Sequence, residues 1–229
     1  MPTDPEPPNS KHPPVDPLDP PPATASSESE SAAAVRSLKV ARGWSWAMAA
    51  IVFLCLATGG VSADLWTKSY MFANYWPYNQ HPNDWPITHA PHWWIDGIFG
   101  IQTSTNGGAL FGMMQGYQSV FVSLSMVALV GLLTWLFAFG AWRDRLLVCC
   151  LGLITGGIVG NLYDRLGLWH DERTPEDFHY HVRDWIHFRL AGVPYFDPWP
   201  NFNIADSLLV VGVILMLIHN LFFVEKQEE

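Results

Sequence analysis

The sequence predicts an all-α membrane protein of four transmembrane helices with both termini cytoplasmic. Two longer outer segments should form an extracytoplasmic subdomain, with a small sheet and a surface helix as its expected elements. Three observations carry this reading. Only 14% of the 229 residues are charged and 49% are hydrophobic, whereas soluble domains carry roughly 25% charged residues. Four segments are each long enough to cross a hydrocarbon core of ~30 Å, which takes about 20 apolar residues. Short-loop Lys and Arg, the residues that set orientation, gather on one side of those segments.

Residues 1–40 are a different polymer from the rest. Met1–Pro22 holds 10 of the 18 prolines, and Ala, Ser, Thr and Glu dominate the stretch that follows. Such a composition buries too little apolar surface to fold, so a disordered cytoplasmic tail is expected. It lacks the basic start and apolar run of a secretory signal peptide. The membrane domain then covers 41–229, with spans at about 44–64, 117–141, 146–164 and 206–224, and no charge inside any span. Arg36, Lys39 and Arg42 precede the first span, and Arg143 with Arg145 occupy the short turn between spans two and three. Both sets are placed in the cytoplasm. The third span carries Gly152, Gly156 and Gly160 on one helical face, where a neighbouring backbone can approach closely.

The outer segments, about 65–116 and 165–205, contain 8 of the 12 Trp and 7 of the 9 His. Trp93, Trp94, Ile95, Ile98 and Phe99 form a stretch suited to lie on the membrane surface. All three cysteines lie in or beside spans, so no disulfide framework is expected outside. A net charge of -9 without a basic patch argues against nucleic acid.

Asp164 closes the third span and Asp206 opens the fourth, each about 19 residues from the cytoplasmic end of its helix, or ~28 Å at 1.5 Å per residue. The two carboxylates therefore share one depth. If their helices are neighbours, one carboxyl keeps its proton while the other is charged, the condition for activating water against a peptide carbonyl. Each also has a structural reading. Asn203-Ile-Ala-Asp206 fits a reciprocal helix cap, and Asp164 beside Arg165 fits an interfacial ion pair. Helix dipoles favour the anion at Asp206, in a first turn, over Asp164, in a last turn. Asp206 is thus the expected base and Asp164 the expected proton donor.

Five short motifs, in order, carry a family resemblance. Gly160-Asn-Leu-Tyr-Asp-Arg165 resembles the GNxxDR motif of the bacterial lipoprotein signal peptidase (signal peptidase II) family, and Phe202-Asn-Ile-Ala-Asp206 its FNxAD motif. Asn106-Gly-Gly-Ala-Leu-Phe111 resembles NxGAAF, Asp64-Leu-Trp-Thr-Lys68 the DxxxK at the end of the first span, and Val182-Arg-Asp184-Trp-Ile-His-Phe188 the VxDxIxF segment. The resemblance covers about 44–224 and implies an intramembrane aspartic endopeptidase. Its substrates would be diacylglyceryl-modified prolipoproteins, cut on the amino side of the lipidated cysteine at the outer boundary of the bacterial cytoplasmic membrane. By motif position Asp164 and Asp206 would be catalytic, with Asn106, Gly108, Asn161, Arg165, Asp184, Asn203, Ala205, Asp64 and Lys68 binding substrate or bracing the site. Membrane lipids and globomycin-type inhibitors would be its other partners. A monomer without metal or cofactor is implied. Asp64 and Lys68, four apart on one helix face, can pair, and Arg165 is expected to reach an aspartate and an outer partner, with Asp184 the candidate.

Three features depart from the family pattern: the proline-rich tail, the Trp- and His-rich stretch between Lys68 and Asn106, and an insert at Leu166–His181 that adds Asp171, Glu172, Glu176 and Asp177. Leu110 also stands where the family has Ala. Two rival readings remain. One is a metal site from His170, His179, His181 and His187 with Asp171 and Asp177, although no HExxH is present. The other is a proton-coupled transporter or membrane scaffold, which the lack of an acid deeper in any span disfavours.

Overall fold

A computed structural model describes residues 44–75, 90–108, 116–172 and 174–224. The expected tail lies outside these residues. The four long apolar helices are α1 (Trp46–Tyr75), α2 (Gln118–Phe137), α3 (Arg145–Arg165) and α4 (Ile204–His219). A last π-helical turn, Asn220–Val224, follows α4. By length and composition all four can cross a membrane.

The first helix differs most from expectation. It runs 11 residues past Asp64, because Asp64 and Lys68 are both fully buried and paired with each other at 2.7 Å. Neutralised charges do not end a helix, and the added turns have apolar work to do. Met71, Phe72 and Tyr75 pack against Ile101, Trp185 and Ile186 of the outer sheet. At the opposite end of the bundle Ala49, Phe53, Leu136, Leu147, Val148 and Leu151 form a second core cluster. Asp144 caps α3 by accepting from the Leu147 backbone N–H at 2.9 Å, and His219 Nε2 reaches the other Asp144 oxygen at 2.7 Å. The two ends of the bundle are thus held by different means, apolar and capped at one, polar and sheet-covered at the other.

Helix α3 is central. Of its most apolar 18 residues, 56% are buried inside the protein, against 6% for α2 and 17% each for α1 and α4. The glycine face explains how its neighbours come so close. A Cβ on Gly156 would stand 3.2 Å from the Ala57 carbonyl oxygen of α1, and one on Gly160 would stand 2.6 Å from Asp64 Oδ2 and 3.1 Å from Ala205 Cβ. The glycine stripe is therefore a packing groove that also brings Asp64 against α3. The outward faces of α2 and α4, including Leu124, Val127, Val130, Val210, Ile214 and Leu217, are exposed, as lipid-facing surface should be.

The outer segments form one four-stranded antiparallel sheet in the order β1 (His92–Ile95), β2 (Phe99–Asn106), β3 (Val182–Phe188), β4 (Trp199–Phe202). The stretch Trp93–Phe99, expected to lie flat on the membrane, instead makes the β1–β2 hairpin across Asp96-Gly97. Its aromatic and β-branched residues favour a pleated surface. Among the described residues the only helical element beside the sheet, apart from the long helices, is a single 3-10 turn, Glu176–Phe178. Strand β3 is central and almost wholly buried. Its register sets Val182 opposite Asn106 and Asp184 opposite Ser104, and Ile186 opposite Phe202, so β3 and the β4–α4 junction arrive together above α3.

Gly160→Val tests the close approach. Added methyls in a filled groove cost about 1–3 kcal/mol, so the variant should melt at lower temperature than wild type in detergent.

Candidate active site

Four buried charges join three elements beneath the sheet. Lys68 Nζ lies 2.7 Å from Asp64 Oδ2 and 3.2 Å from Asp164 Oδ2, and donates to Asn161 Oδ1 at 3.1 Å. Those three contacts use all three ammonium hydrogens. Arg183 of β3 clasps Asp164 from the other side. Its Nη2 and Nε donate to Asp164 Oδ1 at 2.8 and 3.2 Å, and its backbone N–H donates to Oδ2 at 3.0 Å. Asp64 Oδ1 accepts from the Ala205 backbone N–H at 2.9 Å. Two acids and two bases cancel, which is the condition under which charges survive burial.

Asp164 is therefore enclosed in the ion network and fully buried. Its partner is Arg183, not Arg165, and with Lys68 and a backbone amide it has no free oxygen facing open space. The carboxylate that the structure brings to Asp206 is Asp184. Both line a cavity of about 500 Å³, along with Asn106, Asn161, Arg165 and Gly108. The same cavity runs on between Trp199–Phe202 and the Ser207–Val211 face of α4, a mostly apolar channel leading to lipid-facing surface.

Two asparagines hold the pair. Asn161 Nδ2 donates to Asp206 Oδ1 at 2.7 Å, and Asn203 Nδ2 donates to Asp184 Oδ1 at 2.7 Å and to Asn161 Oδ1 at 3.1 Å. The expected cap on α4 is present in both directions: Asp206 N–H donates to Asn203 Oδ1 at 2.9 Å, and Asn203 N–H donates to Asp206 Oδ2 at 3.1 Å. Asp206 thus accepts two hydrogen bonds in the first turn of its helix. Asp184 is buried on a strand. Burial, and then the charge of Asp206 beside it, push the Asp184 carboxyl well above the ordinary carboxylate range, against Lys68 and hydrogen bonds from Asn203 and Asn106.

Arg165 donates through Nη2 to the Gly108 carbonyl at 2.9 Å and stacks over the Phe121 ring at 4.4 Å. Its Nη1 is buried without a hydrogen-bond partner among the described residues, and its charge faces Asp184 and Asp206. Of the residues singled out in the sequence, Asn106, Gly108, Asn161, Arg165, Asp184 and Asp206 meet at the cavity. Asp64, Lys68, Asp164 and Ala205 lie behind it in the ion network, and Asn203 bridges the two groups. Arg183, which the sequence motif contains but does not assign to the site, is the residue that engages Asp164. The one sequence signal for it was a lone Arg in a strand otherwise destined for burial. Of the outer histidines, His170 and His179 stack face to face at 3.6 Å, and no group of three metal-ligating side chains occurs among the described residues.

Helices and cavity together have the build of a bacterial membrane enzyme. Two bacterial membrane enzyme structures determined by the in meso method superpose with TM-scores of 0.57 and 0.56, at 25% and 26% identity. They cover 74% and 75% of this chain, and 87% and 93% of their own. The chain belongs to the signal peptidase (SPase) II family, whose pattern matches residues 56–222. A lipoprotein signal peptidase of Rhodopirellula baltica is 43% identical over 169 residues, 74% of this chain and 71% of that protein. One from Geobacillus thermodenitrificans is 31% identical over 179 residues, 78% of this chain and 95% of that protein. The protein is accordingly a multi-pass bacterial membrane peptidase.

Breaking the ion network should be expensive. Lys68→Met leaves two buried carboxylates short of a cation, and removing one partner of a buried pair costs about 3–5 kcal/mol. The expected outcome is a large loss of folded protein in detergent denaturation curves.

Proposed function

We propose that this protein is an intramembrane aspartic endopeptidase in which Asp184 and Asp206, rather than Asp164 and Asp206, are the catalytic pair. The observation that carries the reading is that, among the described residues, these two are the only acids that line the cavity, while Asp64 and Asp164 are consumed by Lys68 and Arg183. Its substrates are diacylglyceryl-modified prolipoproteins, cut on the amino side of the lipidated cysteine. The chain lies in the bacterial cytoplasmic membrane as a monomer with both termini cytoplasmic, so the sheet and the site stand at the outer boundary. Membrane lipids surround it, and globomycin-type inhibitors compete for the cavity.

The chemistry follows from the unequal surroundings of the pair. Asp206, as the anion, takes a proton from a water lodged between the carboxyls, and the oxygen attacks the scissile carbonyl carbon. Asp184, holding its proton, gives it to the carbonyl oxygen as the tetrahedral intermediate forms. Collapse of that intermediate breaks the C–N bond: the proton taken by Asp206 passes to the departing amine, and Asp184 takes back a proton from a hydroxyl of the gem-diol as the carboxyl product forms, which restores the pair. Arg165 Nη1, which has no hydrogen-bond partner among the described residues, can donate to a substrate carbonyl at the rim. The channel between β4 and α4 suits an apolar signal segment, and because acyl chains are already in lipid before binding, channel contacts select orientation more than affinity.

Cleavage of a diacylglyceryl prolipoprotein peptide in detergent tests the pair. Asp184→Asn and Asp206→Asn should each lose roughly 10²–10⁴-fold in kcat, the usual contribution of a positioned acid or base. Asp164→Asn should yield less folded protein but near-normal turnover per folded molecule. The reverse pattern, with Asp184→Asn active and Asp164→Asn dead, would overturn the assignment.

The pH profile offers a second check. A raised Asp184 keeps its proton to higher pH, so activity falls as pH rises through that raised value. Asn106 donates to the charged form and holds the value down. In Asn106→Ala the alkaline limb of kcat should therefore move to higher pH.

A further inference from the structure

Residues 166–181 form a stretch that no functional role above has used, and it ends with its last side chain pressed against the catalytic rim. The His181 ring lies on the open face of Gly107: a Cβ there would collide with Nε2 and stand 2.8 Å from both Cδ2 and Cε1. The ring's Nδ1 is 3.3 Å from Thr105 Oγ1. The His181 backbone is pinned independently. Its N–H donates to the Phe178 carbonyl at 3.0 Å, and its carbonyl accepts from Trp169 Nε1 at 3.1 Å. The Phe178 ring meets the imidazole edge-on at 5.2 Å.

The segment under that ring carries two site contacts. Asn106 precedes Gly107, hydrogen-bonds Asp184 and accepts from Gly108 N–H at 3.0 Å. The carbonyl of Gly108, which follows, takes the Arg165 guanidinium. Thr105 and Gly107 thus meet His181 on one side, while Asn106 and Gly108 engage the site. Resting on the catalytic reading above, we infer that His181 is a positioning residue for that reaction: it seats the end of β2 and the Gly107–Gly108 bend so that Asn106 meets Asp184 and Gly108 meets Arg165. The requirement for glycine at 107 is the other half of the same contact, since any side chain there would displace the ring.

The state of the ring fits this seat. Burial, and then the Arg165 charge, hold His181 below its ordinary value, against Asp177. The imidazole is therefore neutral near pH 7, and its apolar faces are free to pack on the turn.

The test uses full-length protein in detergent with His181→Ala and Asn106→Ala, singly and together, and His181→Gln as a milder variant. His181→Ala should lower kcat about tenfold or more, in keeping with the sensitivity of catalysis to small misplacements, and move the alkaline limb upward as Asn106→Ala does. The two effects should not multiply in the double variant, because one acts through the other. If His181→Ala does not fold, His181→Gln carries the same comparison with a smaller loss. Independently of turnover, the Asp184 carboxyl followed by ¹³C NMR should titrate at higher pH in the His181 variant than in wild type. A wild-type protein that fails to cleave the peptide overturns the catalytic reading and leaves the NMR shift to decide the seat. Unchanged kcat and limb, an Asp184 titration that does not move, or effects that multiply with those of Asn106→Ala would overturn the proposal.

Discussion

The clasp of Arg183 on Asp164, with Lys68 and Asp64 beneath, is the interaction on which the rest of the structure depends. It joins a strand to two helices through four side chains that are all buried. Isolated charges so buried are costly, but a neutral cluster in which each carboxylate accepts several hydrogen bonds is tolerable. The cluster also lets α1 continue through Asp64 and Lys68 and reach the sheet, where Met71, Phe72 and Tyr75 are needed to cover Ile101 and Trp185. Without the clasp the sheet would rest on the bundle through apolar contacts and a few hydrogen bonds, such as Asn203 to Asp184 and Thr103 to the Tyr75 carbonyl.

Above that base, side chains serve structure and site together. Asn203 and Asp206 form a helix cap, and the same two residues hold one carboxylate of the cavity and present the other. Asn161 receives from Lys68 and gives to Asp206, so the ion network and the cavity are linked through one carboxamide. Such sharing makes the pair rigid: no oxygen of Asp206 can turn without breaking a cap or an amide contact. Preorganisation of this kind lets two carboxyls in one place differ in their hold on a proton.

Much of the architecture was readable from composition. Four uncharged apolar runs of membrane length, the basic turn at Arg143 and Arg145, and the stripe of Gly152, Gly156 and Gly160 all match helices or contacts observed. The reciprocal cap at Asn203 was legible too, because capping is set by residues three apart. The sequence places the end of the first span at Asp64, whereas the helix continues to Tyr75, because Lys68 neutralises the buried carboxylate. The surface stretch at Trp93–Phe99 became a hairpin, because aromatic residues suit a strand as well as an interface.

The choice between carboxylates shows where sequence stopped. It determined the set of polar residues at one end of the bundle: Asp64, Lys68, Asn106, Asn161, Asp164, Arg165, Asp184, Asn203 and Asp206. Matched depth then singled out Asp164 and Asp206, but depth says nothing of direction. Arg183 and Asp184 are consecutive on β3, so their side chains leave opposite faces of the strand. Once the strand register is fixed, Arg183 turns to Asp164 and Asp184 turns to the cavity beside Asp206. A slip of one residue would exchange the two. That register comes from pairing with β2 and β4 and from the packing of Trp185 and Ile186, contacts between residues far apart in the chain, and so only the tertiary structure decided which acid was spent on the fold and which was left at the cavity.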